Sequence, residues 1–401
     1  MPQHDGKGID PRLFEMLGGQ MGRRQFLNQT AMAAMGASLL AACGGKDAAR
    51  DAAKPAAGGA SLTRNAGSGT REVRISNWPL YIDAATVADF QKATGITAIY
   101  TEDINDNNEF VAKIDEPLKR GQSIDRDIIV LTDWVAGRLI SMGYAAPLDD
   151  SKFPNRVNIV DGVRNVSWDV GRKYSVPWLS GMTGIGYNPK KVGKEITSFN
   201  DIFDPKYKGK VTMLTEMRDT LGLTMLGMGK DPVNCTLDDA KAAAAKIKQA
   251  RTDGQVRKFT GNDYAADLAA GNISIAMAWS GDIQGLAADN PDLRWIAPRE
   301  GAMLFSDNMI IPRTSDRQDL AMAWINYCYD PAHSAQIVAG APYLSDVKGA
   351  GAELAKIKPE LAKSWLVNPP DELRSRLHVF RGLSDDEDKA FNQLFQDAIG
   401  A

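Results

Sequence analysis

Cysteine and histidine are scarce in this chain of 401 residues, with three of each: Cys43, Cys235 and Cys328, and His4, His333 and His378. None stands at the close spacing a zinc centre needs, so no metal and no cofactor is expected, and the scattered histidines read as surface residues rather than as half of a catalytic dyad. A nucleophile elbow, a zinc-protease motif and a phosphate-cradling glycine loop are also missing, which removes the common signatures of a hydrolase or a nucleotide enzyme. No dense Lys/Arg block occurs and the formal net charge is −3, so nucleic acid is not an expected partner. No internal repeat is visible, which disfavours a solenoid. The remaining composition, 44% hydrophobic and 24% charged, is that of a folded globular chain with room for two lobes.

The first seventy residues bear on the compartment. Arg23-Arg24-Gln25-Phe26-Leu27 precedes a moderately apolar stretch, 30–42, that is too short and too rich in Ala and Gly to span a bilayer. The pair of arginines before Phe-Leu resembles a twin-arginine export signal, with Gly22 and Asn28 standing where that signal usually has a hydroxyl residue and Lys. Leu40-Ala41-Ala42-Cys43-Gly44 resembles a bacterial lipobox, in which small residues fit the peptidase and the Cys43 thiol takes the lipid. Residues 44–70 are rich in Gly, Ala, Ser and Lys without hydrophobic period, as expected of a flexible tether. The expected division is therefore an export signal over 1–42, an anchored tether over 43–70 and a folded body over 71–401, held outside the cytoplasm on the membrane by Cys43. Twin-arginine export moves folded chains, so Cys235 and Cys328 are expected as buried free thiols.

Within the body, short apolar runs alternate with helical patterns. Strands are expected at 73–76, 96–100 and 128–131, with helices at 83–93 and 108–120 between them; Thr94-Gly95 is a helix stop. The second half follows the same alternation, with strands ending at Asn188-Pro189, at 210–214, 273–278 and 309–312, and helices at 237–250, capped by Thr236, and 315–329. Such alternation predicts an α/β fold with a largely parallel sheet, here in two lobes joined by crossing strands.

Residue markers run in order along this body: Asn77-Trp78 with Tyr81; Asp89-Phe90 ahead of Thr94-Gly95-Ile96; Asp127 to Thr132 with Trp134; Pro177-Trp178 before Thr183-Gly184-Ile185-Gly186-Tyr187-Asn188; Phe203-Asp204-Pro205; Met277-Ala278-Trp279-Ser280-Gly281; and Ser306-Asp307-Asn308. In that order and spacing they resemble the periplasmic spermidine/putrescine-binding proteins of polyamine ABC importers. The resemblance implies the two-lobed type II periplasmic-binding-protein fold with crossing hinge strands and a ligand cleft between lobes. Lobe 1 would span about 71–177 plus about 308–340, and lobe 2 about 178–307 plus the C-terminal segment. It further implies a monomeric receptor, not an enzyme, that captures a small polyamine cation and hands it to a membrane permease with its ATPase.

A protonated diamine is an apolar rod charged at both ends, so its site needs carboxylates at the ends and aromatic walls between, each aromatic face contributing about 0.5–2 kcal/mol to a nearby ammonium. Glu216 and Asp219 match two acidic ligand positions of the family, and Asp307 matches a third; read without the resemblance, the first two could merely complement a helix dipole and the third could begin a strand. Trp78, Tyr81, Trp134, Trp279 and Phe305 match the aromatic walls, Thr132 a hydroxyl partner, and Trp178 either a wall or a hinge support. Three of the tryptophans end expected strands, where open α/β sheets place their ligands. The chain also departs from the family: Pro79 and Leu80 replace a hydroxyl and an acid, and Ala341 replaces an aromatic, with Tyr343 close by. Arg381 stands where a neutral amide is expected, either as a fixed cation of the site that would favour a short amine or one with an anionic end, or as a surface residue paired with Asp385 or Asp386. A metal or anion receptor is the competing reading, but adjacent tyrosines and Arg/Ser clusters are wanting.

Overall fold

The computed structural model describes residues 71–401; the segments expected as export signal and tether, with Cys43, lie outside them. The alternation seen in the sequence becomes β1 (Glu72–Asn77), α1 (Ala84–Thr94), β2 (Thr97–Glu102), α2 (Asn107–Lys119) and β3 (Ile128–Thr132). Asp83 caps α1 through a bond from the Ala85 amide, and Gly95, at φ 67°, ends it in the left-handed turn a glycine adopts freely. β1 lies between β2 and β3 and is parallel to both. A second parallel block has the same plan: β5 (Val211–Leu214) sits between β6 (Val256–Thr260) and β7 (Ile275–Trp279).

Two long strands join the blocks. β4 (Ser175–Tyr187) is buried along its whole length, and β9 (Ala302–Ile310) pairs antiparallel with it. β9 also pairs antiparallel with β3, and β4 with β7, which gives the order β2-β1-β3-β9-β4-β7-β5-β6, while the short β8 (Arg294–Ile296) and β10 (Leu344–Ser345) pair antiparallel with β4. The sheet is therefore mixed rather than largely parallel. Parallel strands require helical crossovers and build each lobe, whereas the chain must pass between lobes on strands that enter from opposite directions. Asp307 lies inside β9, not ahead of a short strand at 309–312. The expected helix 237–250 runs Leu237–Thr252, and Thr236 and Asp239 close its N-terminus as a capping box. Cys235 and Cys328 are buried and unpaired. Among the described residues no helix is long and apolar enough to cross a membrane.

In both blocks the carboxyl ends of the parallel strands meet the crossing strands. Trp78 follows β1, Thr132 ends β3, Glu216 follows β5 by two residues and Trp279 ends β7. This convergence positions the site.

Candidate functional site

A cavity of about 490 Å³ opens where these strand ends meet β9. It is lined by every residue expected at the ligand: Trp78, Tyr81, Thr132, Trp134 and Glu216, then Asp219, Trp279, Phe305, Asp307 and Arg381. Trp178 is not among the lining; it is buried in β4 and its indole donates to the Tyr81 carbonyl at 3.2 Å, supporting the turn below.

That turn, Trp78-Pro79-Leu80-Tyr81, delivers two aromatic rings. Leu80 has φ 59°, a left-handed conformation costing a branched residue on the order of 1–3 kcal/mol. The turn is held by Trp78 Nε1 donating to Val130 O at 3.1 Å and by the Tyr81 hydroxyl donating to Asp307 Oδ2 at 2.8 Å. Trp78, Trp279, Phe305, Tyr343 and Tyr81 then follow one another edge to face, with centroid separations of 5.9, 6.4, 6.4 and 4.7 Å. Tyr343 lines the cavity, whereas Ala341, two residues before it, does not. Its ring fits only because Gly181 and Gly281 lack a Cβ, which would come within 2.8 and 2.2 Å of it.

The three carboxylates have neutral partners. Asp307 accepts from Thr132 Oγ1 and Tyr81 OH, both at 2.8 Å. Asp219 accepts from Trp279 Nε1 at 3.0 Å. Glu216 occupies the N-cap position of α3 (Met217–Gly227) without capping it; instead it accepts from the Asn107 amide at 2.9 Å and from Asn107 Nδ2 at 3.0 Å. Burial raises the Asp307 carboxyl to about 7 and that of Asp219 to about 6, and burial together with the Asp106 charge raises Glu216 well above the ordinary range. Among the described residues none of the three carboxyls is ion-paired, so burial favours their protonated forms until a cation enters.

Trp134 is placed differently from the other aromatic residues. One of its faces is covered by the Arg218 guanidinium at 3.9 Å, which pairs with Asp388 at 2.7 Å, so only its other face is left for a ligand. Arg381 is also committed elsewhere: its guanidinium grips Glu387 in two bonds, the shorter 2.6 Å, and donates to Cys235 O. The fixed cation expected at that end is thus neutralised, and the partner is Glu387 in the following helix rather than Asp386.

Sequence reasoning missed Asn107. It opens α2, yet it joins Glu216 of the second block to Thr132 of the first, donating from Nδ2 to Thr132 Oγ1 at 2.8 Å. Asparagine at a helix start ordinarily signals only a cap, so nothing local marked it. Asp282 was missed as well, three residues after Trp279; it accepts from Tyr343 OH at 2.6 Å and Tyr264 OH at 2.7 Å and fixes the Tyr343 ring. Arg172 and Arg218 line the cavity without having been foreseen. Among the described residues no group of three or more His, Cys, Asp or Glu is placed to hold a metal.

Residues 85–364 match the bacterial extracellular solute-binding protein family. The chain is 28% identical over 292 residues to the spermidine/putrescine-binding periplasmic protein 1 of Haemophilus influenzae, covering 73% of this chain and 77% of the relative. It is 28% identical over 330 residues to the putrescine-binding periplasmic protein PotF of Escherichia coli, covering 78% and 86%. A solved Listeria monocytogenes chain ascribed to a spermidine/putrescine ABC transporter superposes with a TM-score of 0.73 at 26% identity, over 82% of this chain and 99% of that one. The likeness runs through both blocks and the crossing strands, as expected of the two-lobed type II fold.

Proposed function

Because the chain belongs to the family of bacterial extracellular solute-binding proteins, we propose that it is the receptor of an ABC importer for a small polyamine-type cation, which it delivers to a membrane permease and its ATPase. The observation that carries this reading is the set of Glu216, Asp219 and Asp307: buried, lining one cavity, and hydrogen-bonded to neutral groups without an ion pair among the described residues. An ammonium entering there meets carboxylates at low dielectric, and a methylene chain meets the edge-to-face series from Trp78 to Tyr81. The protein binds and releases; it performs no chemistry on its ligand.

Closure is part of the same reading. Asn107 ties Glu216 to Thr132 and Asp307, so a ligand that orients these carboxylates also favours the state in which the two blocks meet. We assign the anchor to Cys43, which would hold the receptor at the membrane as a monomer on a flexible tether. Calorimetry with putrescine and spermidine tests the assignment: saturable binding of either, roughly micromolar or tighter, supports it, and binding of neither overturns it.

A further inference from the structure

We propose that the cavity holds a second, anion-accepting subsite on Arg172, so that the preferred ligand carries an amine at one end and a carboxylate at the other. This rests on the reading of Glu216, Asp219 and Asp307 as the cation-binding pole and adds its opposite.

Three arginines line the cavity, and they are not equivalent. Arg218 and Arg381 each end on a carboxylate, Asp388 and Glu387. Arg172 is only 2% exposed, and its guanidinium donates to neutral acceptors: Nε to Val163 O at 2.6 Å, Nη1 to Ser175 Oγ at 3.2 Å and to Asn308 Oδ1 at 2.7 Å. The charges of Asp346, Asp169 and Asp133 act on it through space, but among the described residues none forms an ion pair with it, and no hydrogen bond occupies Nη2. Trp168 backs the guanidinium, 5.0 Å from its ring centre. A guanidinium kept from water without a partner anion is expensive, and a carboxylate accepting from the free Nη2 would supply the missing charge.

The register of β9 explains how one ligand could reach both poles. β3 leaves the sheet where Thr132 pairs with Asp307, and β11 (Leu377–His378) joins the same edge only at Ala302 and Met303. From Leu304 to Ser306 that edge of β9 is open, so side chains of both its faces reach the cavity. Phe305 and Asp307 lie on one face. Ser306 and Asn308 lie on the other, where Asn308 bonds both Arg172 and the Ser306 carbonyl. The Ser306 hydroxyl is buried and has no hydrogen-bond partner, which gives this pole a second donor. One free guanidinium nitrogen and one hydroxyl are few donors, which suits a monoanion rather than a phosphate dianion.

The test is calorimetry on the purified protein with putrescine, γ-aminobutyrate and δ-aminovalerate, repeated on Arg172→Gln and Arg172→Lys. One of the amino acids should bind at least about tenfold tighter than putrescine. Arg172→Gln should reverse that order, and Arg172→Lys should restore part of it, because the charge returns without the planar guanidinium that Val163, Ser175 and Asn308 hold in place. Putrescine binding as tightly as both amino acids overturns the subsite while leaving the cation reading intact, whereas no binding by any of the three overturns both. The order of affinities in the unmodified protein decides the matter even if the buried substitutions do not fold.

Discussion

Replacing Asp307 by Asn should move stability and binding in opposite directions. Burial holds this carboxyl at about 7, against 3.8 in an unhindered chain. Between roughly pH 4 and 7 the folded protein keeps a proton that the unfolded chain has released, so the unfolded state binds fewer protons and stability falls as pH rises through that window. At about 1.36 kcal/mol per unit, ionising Asp307 in the empty cavity costs on the order of 4 kcal/mol by pH 8. An amide cannot ionise and avoids that cost. Its oxygen accepts from one of the two hydroxyls now bound, and its NH2 donates to the other, with Leu179 O at 3.3 Å ready to receive the Tyr81 proton. The empty variant should therefore be about 1–4 kcal/mol more stable than the parent at pH 8 and indistinguishable from it near pH 4. For putrescine the same change removes a charge-assisted bond worth roughly 1.5–3 kcal/mol, or about ten- to a hundredfold in affinity. Thermal melts at both pH values and calorimetry at pH 8 measure the two effects. A variant that is less stable at pH 8 and binds putrescine normally would show that Asp307 is only a structural acceptor for Thr132 and Tyr81.

Amine affinity should itself weaken as pH falls from about 8 to 5, because Asp219 and Asp307, raised to about 6 and about 7, take up protons and stop attracting a cation; a flat calorimetric profile would contradict this. Asn107→Ala should cost about tenfold in affinity, mainly through faster dissociation, since it deletes the link from Glu216 to Thr132, and stopped-flow tryptophan fluorescence would expose an unchanged off-rate. Cys43→Ala should move the protein from the membrane to the soluble fraction or leave its signal uncleaved, and membrane association with normal processing would remove the lipid-anchor assignment.

Much of the cavity lining could be read from the sequence because the resemblance to polyamine receptors marked its aromatic and acidic residues, and strand ends in α/β lobes face the cleft by construction. Trp78 and Trp279 needed no knowledge of distant pairing, and Glu216 needed only the resemblance to outweigh a helix-dipole reading. Arg381 was half legible: one of its two readings placed its partner in the acidic run just after it, and the partner is Glu387, six residues on. Asn107 and Arg172 were invisible because their partners are distant: one reads as a helix start and the other as a loop cation until the fold brings Glu216 and Asn308 against them. The controlling long-range feature is the antiparallel register of β3 against β9, where Thr132 meets Asp307 across 175 residues of chain. Because side chains alternate along a strand, a slip of one residue would turn Asp307 away from the Tyr81 side and bring Ser306 or Asn308 there instead. The cleft would then lose the carboxylate that both Thr132 and Tyr81 hold. The charge of this pocket is thus set as much by where β3 stops as by which acidic residues the chain contains.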